Sequence, residues 1–253
     1  MVKGLDRFRE NFRSFKDSYI LIGGVASYLL MDEAGLPFRA TKDLDIVLCV
    51  EVLDSTFIAH FWDFVKAGGY SNQQRSTGEK QFYRFDKPAA EGFPFMLELF
   101  SRVPDHLGAL EGAHLAPIPA GEDVSSLSAI LLDDEYYYCI QSGKRVIEDI
   151  PVLDAEYILA FKARAWLDLS RRKANGERVD SKTIKKHRND VFRLFALLAP
   201  SQRVEVVDAI KQDVQAFIDA MVTEGALDLK SLGVRGELQD VLASLRTIYQ
   251  IDS

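Results

Sequence analysis

The sequence has very few of the residues that build disulfide frameworks and thiolate metal sites. Only two of its 253 residues are cysteines. Cys49 and Cys139 show no metal-binding spacing and no disulfide framework. Cysteine usage of this kind is typical of a reducing compartment, and the expected location is the cytoplasm.

Long apolar runs are also missing. No segment approaches the roughly 20 apolar residues that a membrane helix requires, so no membrane partner is expected. The first fifteen residues, MVKGLDRFRENFRSF, are amphipathic and charged. They lack the apolar core of a signal peptide. The sequence also shows no internal repeat and no low-complexity tract.

Positive charge is in deficit, because the formal net charge is −7. Proteins that coat nucleic acids do so by neutralising phosphates, so this charge argues against a general nucleic-acid coat while still allowing one basic groove. The rest of the composition is ordinary. Contents of 47% hydrophobic and 27% charged residues are typical of a soluble globular protein with one large or two modest domains.

The first informative motif is a pair of glycines after an apolar run. Residues Tyr19–Ile22 predict a strand that stops at Gly23-Gly24, and a helical pattern follows. Glycines at such a junction expose backbone N–H groups at the N-terminus of a helix. This arrangement is a ready anion site.

The second motif is Asp43-Leu44-Asp45 at the start of another predicted strand. Strand side chains alternate between faces, so Asp43 and Asp45 should project from the same side. Two carboxylates that close raise each other's pKa unless a cation lies between them, and Mg²⁺ prefers such oxygen ligands. A phosphate cradle with metal carboxylates suggests a nucleotide enzyme. The simpler interpretation is a buried turn followed by a strand with exposed acids.

In this order, Ile22-Gly23-Gly24 and Asp43-Leu44-Asp45-Ile46 resemble the nucleotidyltransferase superfamily that includes DNA polymerase β. With Arg39-x-Thr41, the pattern is most similar to the AbiEii/AbiGii-type toxin nucleotidyltransferases, over about residues 19–195. The resemblance implies that Gly23, Gly24 and Thr41 bind the nucleotide. It also implies two bound Mg²⁺ ions, with Mn²⁺ as a substitute. Gly24 departs from the many members that carry Ser, so backbone amides must hold the phosphate.

A third metal carboxylate is expected from a later strand. The apolar run Pro94–Phe100 contains one acid, Glu98, and a buried carboxylate is costly unless it is paired or metal-bound. In the superfamily this ligand comes from the strand beside the Asp-x-Asp strand, and Glu98 fits that place. Asp86 and Asp105 are the alternatives, and an exposed acid on an edge strand is the simpler interpretation.

Helical periodicity dominates after residue 150. We therefore predict an α+β fold, with a nucleotidyltransferase domain over 1–150 (a mixed sheet flanked by helices) and a helical domain over 151–253 that completes the active-site cleft. Between residues 159 and 198, eleven Lys or Arg outnumber four Asp or Glu. Lys162 and Asp190 match helical motifs of the toxin family. The resemblance implies that both serve nucleotide binding.

The expected activity is transfer of a nucleoside monophosphate from an NTP to an acceptor hydroxyl. The resemblance implies a toxin whose acceptor is RNA, such as a tRNA 3′ end, with an antitoxin encoded nearby. One alternative is transfer to a small hydroxylated molecule such as an aminoglycoside. Another is a degenerate protein that only binds nucleotide or a partner. Residues 70–79 are polar and predict a loop, and residues 129–140 predict a strand pair, or a strand and tight turn, through Asp133-Asp134.

Overall fold

The structure is a computed structural model that describes residues 2–49, 55–75, 81–101, 116–117, 134–224 and 227–251. The chain forms two compact units. The first comprises Met1–Leu29, Arg39–Val124 and Lys144–Leu153, and the second comprises Leu30–Phe38, Ser125–Gly143 and Asp154–Ser253. The expected division into domains 1–150 and 151–253 remains a prediction.

The first unit contains one mixed sheet, which has eight strands among the described residues. In chain order they are β1 Tyr19–Ile22, β2 Asp43–Leu48, β3 Tyr70–Arg75, β4 Gln81–Pro88, β5 Met96–Ser101, β6 Ala116–Pro117, β7 Lys144–Ile147 and β8 Ile150–Leu153. Their order across the sheet is β6-β3-β4-β5-β2-β1-β8-β7. β2 runs antiparallel to β1 and parallel to β5, and β4 runs antiparallel to β5.

The apolar composition of β1 follows from its position in the sheet. All four residues of Tyr19–Ile22 are buried, because β1 lies between β2 and β8 in the interior of the sheet. A strand buried on both faces needs no alternation of polar and apolar residues. On β2, by contrast, Asp43 and Asp45 are half-buried while the remaining four residues are buried.

Three helices lie in the N-terminal part of the chain: α1 Leu5–Phe12, α2 Gly23–Glu33 and α3 Ser55–Gly68. α1 and α3 contribute a cluster of aromatic rings to the core. Phe12 lies 4.5 Å from Phe8 and 5.3 Å from Phe64 between ring centroids, distances typical of favourable aromatic pairs.

A hairpin that the sequence did not reveal joins β7 to β8. Its turn residues Glu148 and Asp149 have φ values of +45° and +68°, as a two-residue turn requires when its twist matches that of the paired strands. Arg9 binds Glu148 at 2.6 Å and Arg13 binds Asp149 at 3.1 Å. The turn is therefore held against the N-terminal segment.

The described part of the second unit is helical. Its main helices are α4 Asp134–Ser142, α5 Ala155–Ala174, α6 Ser181–Phe195, α7 Asp208–Thr223 and α8 Leu238–Ile248. Asp154 caps α5 and Asp180 caps α6, each accepting a hydrogen bond from a backbone amide of the first turn. Together with the mixed sheet of the first unit, these helices confirm the predicted α+β class.

Two local predictions are wrong. Residues 134–140 form helix α4 rather than part of a strand pair, because Asp134 and Glu135 suit the first turn of a helix and the apolar positions that follow are buried on one face. Residues Tyr70–Arg75 form β3 rather than a loop, because they pair with β4 despite their polar composition.

None of the helices in the described ranges is both long and apolar enough to cross a membrane.

Candidate active site

The strand register places Glu98 directly beside Asp45. β2 and β5 are parallel neighbours in which Asp45 pairs with Glu98 and Asp43 pairs with Met96. Paired residues on adjacent strands share a face and lie about 5 Å apart. Asp45 and Glu98 are therefore neighbours on one face, and Asp43 lies on the same face two residues before Asp45.

Glu98 also pairs with a cation that the sequence analysis missed. On the other side of β5, Arg84 of β4 lies opposite Glu98. Its Nε donates to Glu98 Oε1 at 2.9 Å and its Nη2 to the same oxygen at 2.8 Å. Both side chains are largely buried, with 15% and 10% exposure. Asp45, Glu98 and Arg84 thus lie side by side on three adjacent strands. We call these three residues the carboxylate row.

The same register separates Glu98 from its rival Asp86. Asp86 pairs with Met96, and Met96 pairs in turn with Asp43. Asp86 therefore lies two strands, or about 10 Å, from β2, whereas Glu98 is one strand away. This placement favours Glu98 as the third carboxylate. The other rival, Asp105, lies outside the described residues.

Crowding in the carboxylate row raises the pKa of Glu98 to about 8. Burial is the largest cause, and the negative charge of Asp45 and a hydrogen bond with its carboxyl group act in the same direction. The Arg84 guanidinium opposes the shift. A hydrogen bond between two carboxyl groups requires a proton on one of them, and the raised pKa of Glu98 favours Glu98 as its holder in the metal-free protein.

Gly23 permits the close approach of α2 to β2. Its φ is +65°, a conformation that costs side-chain-bearing residues energy. A Cβ at this position would lie 2.0 Å from Asp45 Oδ2. In addition, the backbone N–H of Gly24 donates to Asp45 Oδ2 at 3.4 Å. The helix start and the metal-type carboxylate are therefore in direct contact.

Thr41 fills the space beside Gly24. A Cβ on Gly24 would lie 2.5 Å from Thr41 Oγ1 and 3.6 Å from an Arg39 Nη2 atom. Many members of the superfamily that this sequence resembles carry Ser at the position of Gly24. In this structure the Thr41 hydroxyl oxygen lies close to the position that the Cβ of such a serine would take. Gly24, Thr41 and Arg39 therefore lie close together at the N-terminus of α2.

The site residues fit a hard divalent cation in chemistry and in strand position. Three carboxylates, Asp43, Asp45 and Glu98, share one face, and burial followed by the charge of Asp45 raises the pKa of Glu98. Within the described ranges, however, no group of three or more His, Cys, Asp or Glu side chains converges on a single metal position. In this structure Arg84 supplies the positive charge beside Glu98.

Two further predicted site residues, Lys162 and Asp190, lie in the second unit. Lys162 Nζ is 3.7 Å from Asp190 Oδ2, and both side chains are buried, with 4% and 0% exposure. Arg193 also approaches Asp190, at 3.3 Å. Lys162 is therefore part of a buried ion pair between α5 and α6, and its role in nucleotide binding remains a prediction.

Comparison with known proteins yields only distant structural similarity. No protein-family model and no curated protein matches the sequence. Among solved structures, the chain is similar to a cytoplasmic RNA terminal U-transferase, with 13% identity and a TM-score of 0.32 over 98% of this chain and 65% of that chain. It is also similar to the Cid1 poly(U) polymerase bound to Mg and 3′-dATP, with 12% identity and a TM-score of 0.32 over 98% of this chain and 66% of that chain.

A third similar structure is Cid1 in complex with the UTP analogue UMPNPP, with 11% identity and a TM-score of 0.30 over 98% of this chain and 65% of that chain. The chain thus spans about two thirds of the length of the structures it matches. At this distance the likeness says nothing about the reaction, so function has to be inferred from the site itself.

Proposed function

We propose that this protein is a divalent-metal-dependent nucleotidyltransferase that moves a nucleoside monophosphate from an NTP to an acceptor hydroxyl. The hydroxyl oxygen attacks the α-phosphorus, the bond between the α-phosphorus and the bridging oxygen to the β-phosphate breaks, and pyrophosphate leaves. One observation carries the proposal: the strand register brings Asp43, Asp45 and Glu98 to one face, and Asp45 accepts a hydrogen bond from the backbone amide of Gly24. A carboxylate group beside a helix N-terminus can serve a metal and a phosphate at the same place.

Each residue has a distinct task in this mechanism. Asp43, Asp45 and Glu98 would hold Mg²⁺, which when bound polarises phosphoryl oxygens and lowers the pKa of an acceptor hydroxyl. The first-turn amides of α2 and the Thr41 hydroxyl would donate hydrogen bonds to the phosphates. Either Asp45 or Glu98, ionised when Mg²⁺ is bound, would accept the proton of the acceptor hydroxyl.

The proposed acceptor is RNA, with a tRNA 3′ end as the first candidate. The basis is the local charge of the second unit, where eleven Lys or Arg outnumber four Asp or Glu between residues 159 and 198. Positive charge of this kind favours binding to a phosphate backbone. We further propose that the protein acts as a toxin, that an antitoxin encoded nearby opposes it, and that Lys162 and Asp190 help to bind the nucleotide.

A second candidate acceptor is a small hydroxylated cation such as an aminoglycoside. The observation that favours it is the net charge of −7, since an acidic body attracts cationic molecules. The two candidates differ in which acceptor becomes labelled. Incubation with radiolabelled NTPs and Mg²⁺ or Mn²⁺, in parallel with bulk tRNA and with an aminoglycoside, separates them.

The same assay tests the active-site assignment. Asp43→Asn and Asp45→Asn should reduce transfer to background, and Glu98→Gln should reduce it by orders of magnitude while NTP binding is retained. Asp86→Asn is the matched control, because Asp86 is an acid on the same sheet, two strands from β2. Full activity in Glu98→Gln together with loss in Asp86→Asn would contradict the assignment of the third carboxylate.

A further inference from the structure

A cavity of about 600 Å³ lies within the second unit. Its walls are residues of α5 and α6, together with Glu224 just after α7. Cavities that bind small molecules in proteins usually measure about 300–1,000 Å³. The cavity therefore has room for a ligand the size of a nucleotide.

The cavity carries a positive charge. Lys173, Lys185 and Arg188 line it, against a single acid, Glu224, which binds Arg188 at 3.1 Å. Lys173 donates a hydrogen bond to the Ser181 hydroxyl, so a cation and a hydroxyl are already oriented together at the cavity wall. Clustered lysine, arginine and hydroxyl donors are the chemistry that binds phosphate.

Two donors at the cavity are buried without an acceptor. The indole Nε1 of Trp166 and the Nε of Arg188 have no hydrogen-bond partner within the part of the chain that the structure describes. The Trp166 side chain is itself only 7% exposed. Buried N–H groups in proteins are nearly always hydrogen-bonded. Both nitrogens have almost no accessible surface, so the contacts with a ligand fall to the cationic side chains that line the cavity.

We propose that this cavity binds the phosphate of a nucleotide unit. Arg188, Lys173 and Lys185 would contact phosphate oxygens. The apolar surfaces of Trp166 and Ile184 would pack against the remainder of the nucleotide. The phosphate comes either from a free mononucleotide or from a residue of an RNA strand. An RNA strand in this cavity would rest on the proposed function, because Lys173, Lys185 and Arg188 belong to the basic segment 159–198 that supports an RNA acceptor; a free mononucleotide would not.

The test is calorimetric titration of the full-length protein in EDTA with three probes: pyrophosphate, uridine monophosphate and a short single-stranded oligoribonucleotide. EDTA removes metal-dependent binding to the carboxylates. Arg188→Gln and the double variant Lys173→Gln/Lys185→Gln should each weaken binding about tenfold or more, as loss of a charge-assisted contact does. Lys186→Gln is the matched control. Lys186 adjoins Lys185 on α6 but does not line the cavity, so its loss should change the affinity for pyrophosphate and for uridine monophosphate by less than about twofold.

The probes also identify the source of the phosphate. Binding of uridine monophosphate assigns the site to a free nucleotide, and binding of the oligoribonucleotide alone assigns it to an RNA strand. The proposal is overturned if no probe binds saturably, or if Lys186→Gln weakens binding as much as Lys173→Gln/Lys185→Gln. It is also overturned if Asp43→Asn/Asp45→Asn abolishes this metal-independent binding. None of these outcomes depends on transfer activity, so failure here is distinct from failure of the proposed function.

Discussion

Gly23→Ala tests the contact between the start of α2 and the carboxylate of Asp45. Gly23 has a φ of +65°, and an added Cβ would lie 2.0 Å from Asp45 Oδ2 and 2.9 Å from its Cγ. Both the backbone conformation and the space therefore require glycine. Alanine must either change the backbone or displace the carboxylate that the proposed mechanism uses.

The cost has two separable parts. A left-handed backbone costs an alanine about 1–2 kcal/mol. Insertion of a methyl group into a filled space costs about 1–3 kcal/mol more. Gly23→Ala should therefore lower the free energy of unfolding by about 2–5 kcal/mol, and it should abolish transfer because Asp45 has to move.

Gly35→Ala isolates the backbone part of this cost. Gly35 has nearly the same φ, +68°, but an added Cβ would meet nothing within 4 Å. Its substitution should cost only the conformational part, about 1–2 kcal/mol. The contact part is isolated in a second way by an Asp45→Ala background, where the obstructing Oδ2 and Cγ atoms are absent.

Urea unfolding of the four proteins of the cycle (wild type, Gly23→Ala, Asp45→Ala and the double variant) measures the contact directly. The two substitutions should couple by about 1–3 kcal/mol, because Asp45→Ala relieves the clash. Two results would refute the geometry. One is a cost for Gly23→Ala equal to that of Gly35→Ala, and the other is simple additivity with Asp45→Ala.

Three further predictions follow from the described contacts. The pKa of Glu98 is raised from 4.5 to about 8, chiefly by burial. The metal-free protein should therefore lose stability as the pH rises from 4.5 to 8 and Glu98 ionises. In EDTA, the free energy of unfolding of Glu98→Gln, measured with urea, should equal that of wild type below pH 4.5 and exceed it by on the order of 4 kcal/mol above pH 8. A difference between the two proteins that does not change with pH would refute this prediction. Gly24→Ser should clash with Thr41 and lower the free energy of unfolding, while Thr41→Ala in the same protein should restore part of it; urea unfolding that shows no rescue would disprove the shared space. Lys162→Met should destabilise by about 3 kcal/mol, because it leaves buried Asp190 with less positive charge, and Asp190→Asn should recover part of that loss; a thermal melt unchanged by Lys162→Met would contradict the ion pair.

Features that depend on residues close together in the sequence could be predicted from the sequence alone. Alternation along β2 put Asp43 and Asp45 on one face and Leu44 on the other, because side chains of a strand change face at every residue. The capping role of Asp154 was also local, since an N-cap acts on the first turn of its own helix. These interactions span a few residues, so their pattern is visible in the sequence.

The partners within the site were decided by the tertiary structure. Arg84 and Glu98 each stand between buried apolar residues in the sequence, but nothing local pairs them. Their contact depends on the register of β4 on β5, and Glu98 meets Asp45 only through the register of β5 on β2. Register is set by the packing of whole strands and their turns rather than by any single residue. The sequence therefore determined which side chains face the site, and the assembled sheet decided which of them touch.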